Sequence, residues 1–375
     1  MVNIIILITM LNYYKLRNWI PLEKLSWSRL SLNSKAIYLL EQNPDKIDWE
    51  YLSTNPAAIH NLEQNLDKID WQWLSENPKA IHLLEQNPDK INWYMLSQNP
   101  AAIHILEQNP DKINWFTLSS KPKAIHLLEQ NPDKINWIQL SRNPAAIHLL
   151  EQNPDKINWD VLSSNPAAIH LISKALEQNP DKINWFNLSS NPAAIHLISK
   201  ALEQNPDKID WNLLSANPAA IHILEKNPDK IDWVTLSKNP AAIHLLEQNL
   251  DKICWFMISM NPAAIHILEQ NPDKINWSWL SINPSAIHLL EQNQDKIDWK
   301  WLSTNPAAIH LLEQNQNKII WTWLSTNPAI FTYDYKQIAE HRWPINKEII
   351  QNRFHPKNMK YFYGWGIEEF DDYEE

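Results

Sequence analysis

Glycine is almost missing from this chain: there are two in 375 residues, Gly364 and Gly366, both near the C-terminal end. Without residues that take positive φ at no steric cost, tight hairpins and the sharp corners of β-sandwiches lose their usual means of construction. A glycine-rich phosphate loop is excluded on the same ground. Cysteine is missing but for Cys254, which rules out an intramolecular disulfide framework and fits a reducing compartment. No long Lys/Arg run is present and the formal charge is −10, so nucleic acid and anionic membrane are repelled unless one face is locally basic. The one strongly apolar opening, MVNIIILITM, has about half the length needed to cross a bilayer and no basic n-region. It is expected to belong to an N-terminal capping helix over residues 1–25.

What the chain has instead is repetition. Tryptophan recurs at 27, 49, 71, 93, 115, 137 and 159, then at 185 and 211, then every 22 residues from 233 to 343, the two irregular steps being 26. The consensus unit is WxxLSxNPAAIHLLEQNPDKIN. It holds two Asn-Pro pairs, and each predicts a helix start: the residue before proline is pushed out of the α region, asparagine can cap exposed N–H groups, and proline suits the first helical position. Asn55-Pro56 should open one helix and Asn87-Pro88 another. The first places Ala58, Ile59 and Leu62 on one stripe, the second Trp93 and Leu96.

Helices of two to three turns are not stable alone in water, so each pair must bury its stripe on the next pair. The expected fold is all-α, an α-solenoid of about 15 two-helix repeats over residues 26–330, with a degenerate C-terminal cap and acidic tail over 331–375. At helix spacings of about 8–10 Å it would form an open, curved rod roughly 120–150 Å along its contour. Two consecutive units carry the insert ISKA, at 172–175 and 198–201. Four residues add about one turn to the first helix and nearly keep its phase, so a bulge is expected there. Leu66, Leu250, Gln294 and Gln316 replace a proline and Lys121 an asparagine, which should loosen those caps.

The array NPAAIHLLEQNPDKINWxxLSxNP resembles repeat proteins encoded by giant viruses, the nucleocytoplasmic large DNA viruses, and the closing segment over 327–373 is similar to the ends of such arrays. The resemblance implies a viral product acting in the cytoplasm of an infected host cell or carried in the virion. It implies no activity, because that family has none assigned.

Twelve units carry a histidine in the same column, from His60 to His310. Equivalent atoms in stacked repeats lie about 8–10 Å apart, too far to share one metal ion. The column is therefore read as structural, bonding along the stack, and its protonation is expected to loosen the stack below about pH 6. The repeated tryptophan is read as core. Asp and Lys of PDKI and Glu of LLEQ are read as helix caps and neighbour contacts. A triad needs one nucleophile beside one base, and a motif copied a dozen times offers no unique site. No catalytic residue, metal site or cofactor is assigned.

The two residues after tryptophan, from Trp27 to Trp321, form fourteen pairs that all differ, and nine of those twenty-eight residues are aromatic. They are Tyr51, Trp73, Tyr94, Phe116, Phe186, Phe256, Trp279, Trp301 and Trp323. With the variable residue five after tryptophan they occupy an arc of about 100° on the helix, one patch per unit, which stacking lines into a strip. The aromatic content, set beside a Glu of LLEQ that never changes, favours a partner-binding strip for a protein or peptide; the competing reading is tolerant packing, with the second position partly buried. A one-unit-per-base reader of nucleic acid and a structural rod or virion component are the alternatives, the first opposed by the charge.

Overall fold

The computed structural model describes residues 13–203, 206–340, 342, 343 and 347. The apolar opening and the acidic tail lie outside them. The expected α-solenoid is what the chain forms, as fourteen stacked units that each begin a helix at tryptophan, from Trp27 to Trp321. Trp343, the fifteenth in the sequence pattern, is 66% exposed and stands outside the stack.

A unit is built of four short pieces. One example runs from a 3-10 turn, Pro228–Lys230, through the helix Trp233–Lys238 and a second 3-10 turn, Pro240–Ala242, to the helix Ile243–Glu247. The Trp helix and the Ile helix are the two expected helices, but only one of the two Asn-Pro pairs acts as expected. Asn239 caps its turn, its side chain accepting from the Ala241 N–H. Asn227 does not: it sits at φ −132°, ψ 58°, and its Nδ2 donates to the Ile223 carbonyl, closing the helix before it. The turn at Pro228 then ends at Ile231, which is extended and buried. The Trp helix needs a fresh cap, and Asp232 supplies it by accepting from the Thr235 N–H at 2.7 Å. Where proline is replaced, the turn is not 3-10 at Leu66, Leu250 or Gln294, but Gln316–Lys318 keeps it. Lys121 forms no side-chain cap.

The core is a narrow column. Leu96, Ala102 and Leu106, and their counterparts in the other units, are completely buried. The tryptophans of the constant column pack against this core but are only half-buried, which corrects their reading as core residues.

Units are joined by a buried polar ladder. The hydroxyl of Ser141 donates to the Trp137 carbonyl at 2.8 Å and accepts from the Asn158 backbone N–H of the next unit at 3.0 Å. Asn165 Nδ2 then donates back to the Ser141 carbonyl at 3.1 Å. The N–H to serine bond is made at all fourteen junctions, at 2.8–3.2 Å. Fourteen units in an open stack would have thirteen junctions. The additional one joins the two ends, where the Ser26 N–H donates to Ser325 Oγ at 2.8 Å.

The expected open rod is thus a closed ring. Strand β1, Tyr14–Leu16, pairs antiparallel with β2, Phe331–Tyr333, with Tyr14 opposite Tyr333. Arg17 donates from its N–H to the Ile330 carbonyl and from Nε to the Ala329 carbonyl. These strands stand where the last unit lacks its Ile helix, and the stretch Leu22–Lys24 forms a 3-10 turn. Within the described residues the expected N-terminal capping helix is therefore replaced by a strand and a turn. Fourteen units spaced by about 8–10 Å give a circumference of roughly 110–140 Å, or about 35–45 Å across. At seven junctions neighbouring Trp helices approach one another closely along several residues, and no two neighbouring Ile helices do so. On a closed ring the more closely spaced layer is the inner one, so the Trp helices form the inner wall.

Two measurements follow. Ser141→Ala leaves the Asn158 N–H at the junction without its acceptor, and denaturant unfolding should show a loss of about 1–3 kcal/mol; an unchanged midpoint would show that the ladder does not hold the stack. At the seam, Tyr14 donates to the Tyr333 hydroxyl at 2.9 Å with the rings stacked at 4.7 Å. That bond, then burial, push the Tyr14 hydroxyl up to about 12. In an opened ring it would ionise near about 10. The closed state keeps this stabilisation below about pH 10 and loses it as pH rises toward 12, because only the open state then releases the proton. Small-angle scattering should report an increase in radius over that range, and Tyr14→Phe should remove the tyrosine-dependent part of the change.

Candidate functional site

The candidate strip lies on the Trp helices and therefore on the inner wall. Eleven of these helices are pinned by an Asn or Asp cap and all fourteen by the serine ladder; those that follow Ser26, Cys254 and Ile320 have no side-chain cap. The first of the two residues after tryptophan is exposed: Tyr94, Phe116, Phe186 and Phe256 lie between 44% and 58% accessible. The second is lower. Tyr51 is 42% exposed, whereas Trp73, Trp279, Trp301 and Trp323 are half-buried. In one run of units each indole also leans on its equivalent. Trp279 stacks on Trp301 at 6.1 Å, Trp301 meets Trp323 at 5.8 Å, and Phe256 abuts Trp279 edge-on at 5.3 Å. Tyr51, Trp73, Tyr94, Phe116 and Phe186 share the strip but make no ring contact with one another among the described residues.

Two cations are set into the stacked run. Lys300 Nζ lies 5.2 Å from the Trp301 ring and 5.1 Å from Trp323, and the Arg29 guanidinium covers Trp323 at 5.1 Å from across the seam. Taken over all three variable columns, the strip holds four cations (Arg29, Arg142, Lys238, Lys300) against three carboxylates (Glu50, Glu76, Asp160), on a chain whose total charge is −10. The third variable position is partly committed to ending the helix. Thr54, Ser120, Ser164, Ser190, Thr304 and Thr326 each donate to the carbonyl three residues before, at 2.8–2.9 Å.

The constant polar columns resolve into neighbour contacts. Lys46 lies over the Trp27 ring at 5.0 Å, and the same pairing of one unit's lysine with the preceding unit's tryptophan occurs at eleven junctions, at 4.6–5.8 Å. In the other three, Lys134, Lys208 and Lys230 turn to an aspartate. A cation on a half-exposed indole stabilises by about 0.5–1 kcal/mol. The histidines bond along the stack, as expected. Nine pair through Nε2 with the LLEQ glutamate of the preceding unit, as His148 does with Glu129 at 2.6 Å. Because the partner is a carboxylate, a protonated imidazole is attracted to it, and the expected loosening at low pH does not follow from this geometry. Among the described residues no three metal-ligating side chains come together, and no helix is long and apolar enough to cross a membrane.

This pairing also explains a glutamate that never changes. Its constancy reflects a partner rather than a surface that resists drift, so it no longer weighs against tolerant packing. The aromatic content of the strip is what remains in favour of binding.

The serine ladder and the caps on the Trp helices escaped sequence reasoning, although a signal existed. The residue before tryptophan is Asn or Asp in eleven of the fourteen units, as at Asp70 and Asn92, the two side chains that cap a helix equally well. Compared with protein-family models, curated proteins and solved structures, the chain matches none.

Proposed function

We propose that the protein is a non-enzymatic binding ring whose inner wall holds a protein or an extended peptide. The observation that carries this reading is the confinement of variety. Fourteen units share one frame, and their differences collect on a single inward strip where nine of twenty-eight residues in the variable pairs are aromatic. Large, stiff aromatic side chains on a preformed concave surface lose little entropy on binding, and they are the residues that dominate protein interfaces. The stacked indoles of Trp279, Trp301 and Trp323 are the anchors, and Tyr51, Trp73, Tyr94, Phe116 and Phe186 extend the contact. No unit offers a site different in kind from its neighbours, which speaks for binding over catalysis.

Reading nucleic acid one unit per base is less well supported, because phosphate contacts normally supply much of such affinity and the strip holds almost as many carboxylates as cations. Growth into a rod is disfavoured by closure, since a ring has no free end to extend. On the resemblance to giant-virus repeat proteins, the partner is a host or viral protein in the cytoplasm of an infected cell.

The test is capture of partners by the intact ring and by Trp279→Ala/Trp301→Ala/Trp323→Ala, with circular dichroism confirming equal helicity. The triple variant should lose at least about 90% of the capture, matching the loss of several interface anchors. Undiminished capture would remove the strip from consideration.

A further inference from the structure

The variable columns hold two aromatic runs that are remote in sequence. One comprises Tyr51, Trp73, Tyr94 and Phe116; the other comprises Phe256, Trp279, Trp301 and Trp323. Closure joins them. Trp323 stands in the last unit, Arg29 covers its face from the first, and Tyr51 follows one unit on. The opposite arc, over residues 138–235, holds a single aromatic in these columns, Phe186, and carries both inserts.

Charge narrows the choice of ligand. In the five units from Phe256 to Leu32 the three variable columns contain two cations, Lys300 and Arg29, and no carboxylate. The remaining side chains there include Met257, Met260, Ile282 and the stacked indoles. Among the described residues, the carboxylate of Asp298 hydrogen-bonds within this patch. It is already engaged, accepting from the Lys300 and Trp301 N–H groups and from Ser278 Oγ at 3.0–3.4 Å. An apolar, cationic patch whose variable columns hold no acid thus spans the seam of a strongly acidic molecule. Glu50 and Glu76 mark its far edge on the following units.

We propose that this seam-spanning patch docks an extended acidic polypeptide segment with apolar or aromatic side chains between its carboxylates, and that the site is complete only when the ring is closed. The proposal rests on the binding reading above and adds the ligand's charge and the dependence on closure. Carboxylates would lie against Lys300 and Arg29, and the apolar side chains against the ladder of Trp279, Trp301 and Trp323. A nucleic acid strand fits less well. It carries a charge on every nucleotide, and beyond Arg29 it would run onto Glu50 and Glu76. Opening the seam separates Arg29 from Trp323 and divides the patch between the two ends of the chain.

The experiment uses the full chain and three fluorescent probes: the peptide EEFEEFEE, its counterpart KKFKKFKK, and a twelve-residue oligothymidylate. Anisotropy should show the acidic peptide binding at least about tenfold more tightly than either of the others, with the preference falling as salt rises. Arg29→Glu/Lys300→Glu should weaken it by about tenfold or more and leave helicity unchanged. Arg17→Pro removes two bonds across the seam, to Ile330 and Ala329, and Thr332→Pro interrupts the pairing of Thr332 with Lys15. Whichever variant opens the ring by small-angle scattering should lose binding to a similar degree, with Trp279, Trp301 and Trp323 all in place.

Equal binding of both peptides, stronger binding of the oligothymidylate, or full binding by an opened ring would each overturn the proposal. So would failure of the acidic peptide to bind a ring that still captures a partner through its three stacked tryptophans; in that case the binding function itself would stand. Loss of capture by the ring together with tight, charge-dependent peptide binding would sink the broader reading and spare this one.

Discussion

The structure depends on one buried hydroxyl per unit. A six-residue helix cannot hold itself together in water, and its backbone groups near the ends have no partners inside it. The serine four residues after each tryptophan answers both problems at once. It adds a second hydrogen bond to the first carbonyl of its own helix and takes up a free N–H from the next unit, so that the start of each Trp helix is satisfied only by its neighbour. Asn165, bonding back to the Ser141 carbonyl, ties a third piece of backbone into the same joint. The leucine column supplies the greater part of the burial, but burial alone is indifferent to register. The hydrogen bonds are what place every unit at the same height and angle to the one before.

Ring closure is a consequence of that joint. A stack ending in open water would leave Ser325 without a donor and Ser26 without an acceptor, besides exposing a leucine face at either end. Closing the ring satisfies both groups with the same bond used elsewhere. The match is not complete: among the few buried polar atoms without a partner are Trp19 Nε1 and Asn33 Nδ2, both at the seam. Asn33 is the counterpart of Asn55, whose amide reaches Ser31. The paired strands and the two bonds from Arg17 compensate, and they make the seam chemically distinct from the other thirteen junctions. One joint in the ring is thereby marked as the place where it can part.

Much of this was readable in advance. The 22-residue period, the two helices, the capping role of the NPAA asparagine and the bonding of histidine along the stack all follow from spacing and local stereochemistry. The second Asn-Pro was misread because the same dipeptide can end a helix as readily as begin one, and the choice turned on burying the isoleucine of DKI. Closure was not readable from the unit, since it depends on a rotation per unit that no single unit encodes. A trace of it does lie at the ends. Glu23, Lys24, Leu25 and Ser26 reproduce the DKIN column before Trp27, and a lysine there needs a tryptophan from a preceding unit. Only Trp321 is available, and Lys24 covers it at 5.0 Å. The half-burial of Trp73, Trp279, Trp301 and Trp323 belongs to their position, since the second residue after tryptophan is partly buried in units without an aromatic there as well, as at Met95 and Gln139.

The inserts show how the frame separates what must stay from what can change. In those units the serine bonds span 21 and 28 residues of sequence in place of 17 and 24, yet Asn184 still reaches Ser163 at 3.1 Å and Asn191 at 3.2 Å. The four added residues lengthen the Ile helix, which runs over Ile169–Gln178 in the first such unit, and leave the Trp helix as it was. An outer layer has room for another turn; an inner layer does not. What is lost is local, because the extra turn carries Glu177 and Glu203 away from His196 and His222, which have no glutamate partner among the described residues. A ring that accepts insertions outside and substitutions inside, while every serine keeps its two bonds, can vary its inner surface unit by unit without renegotiating its fold. That separation gives the aromatic strip a rigid frame on which to be diverse.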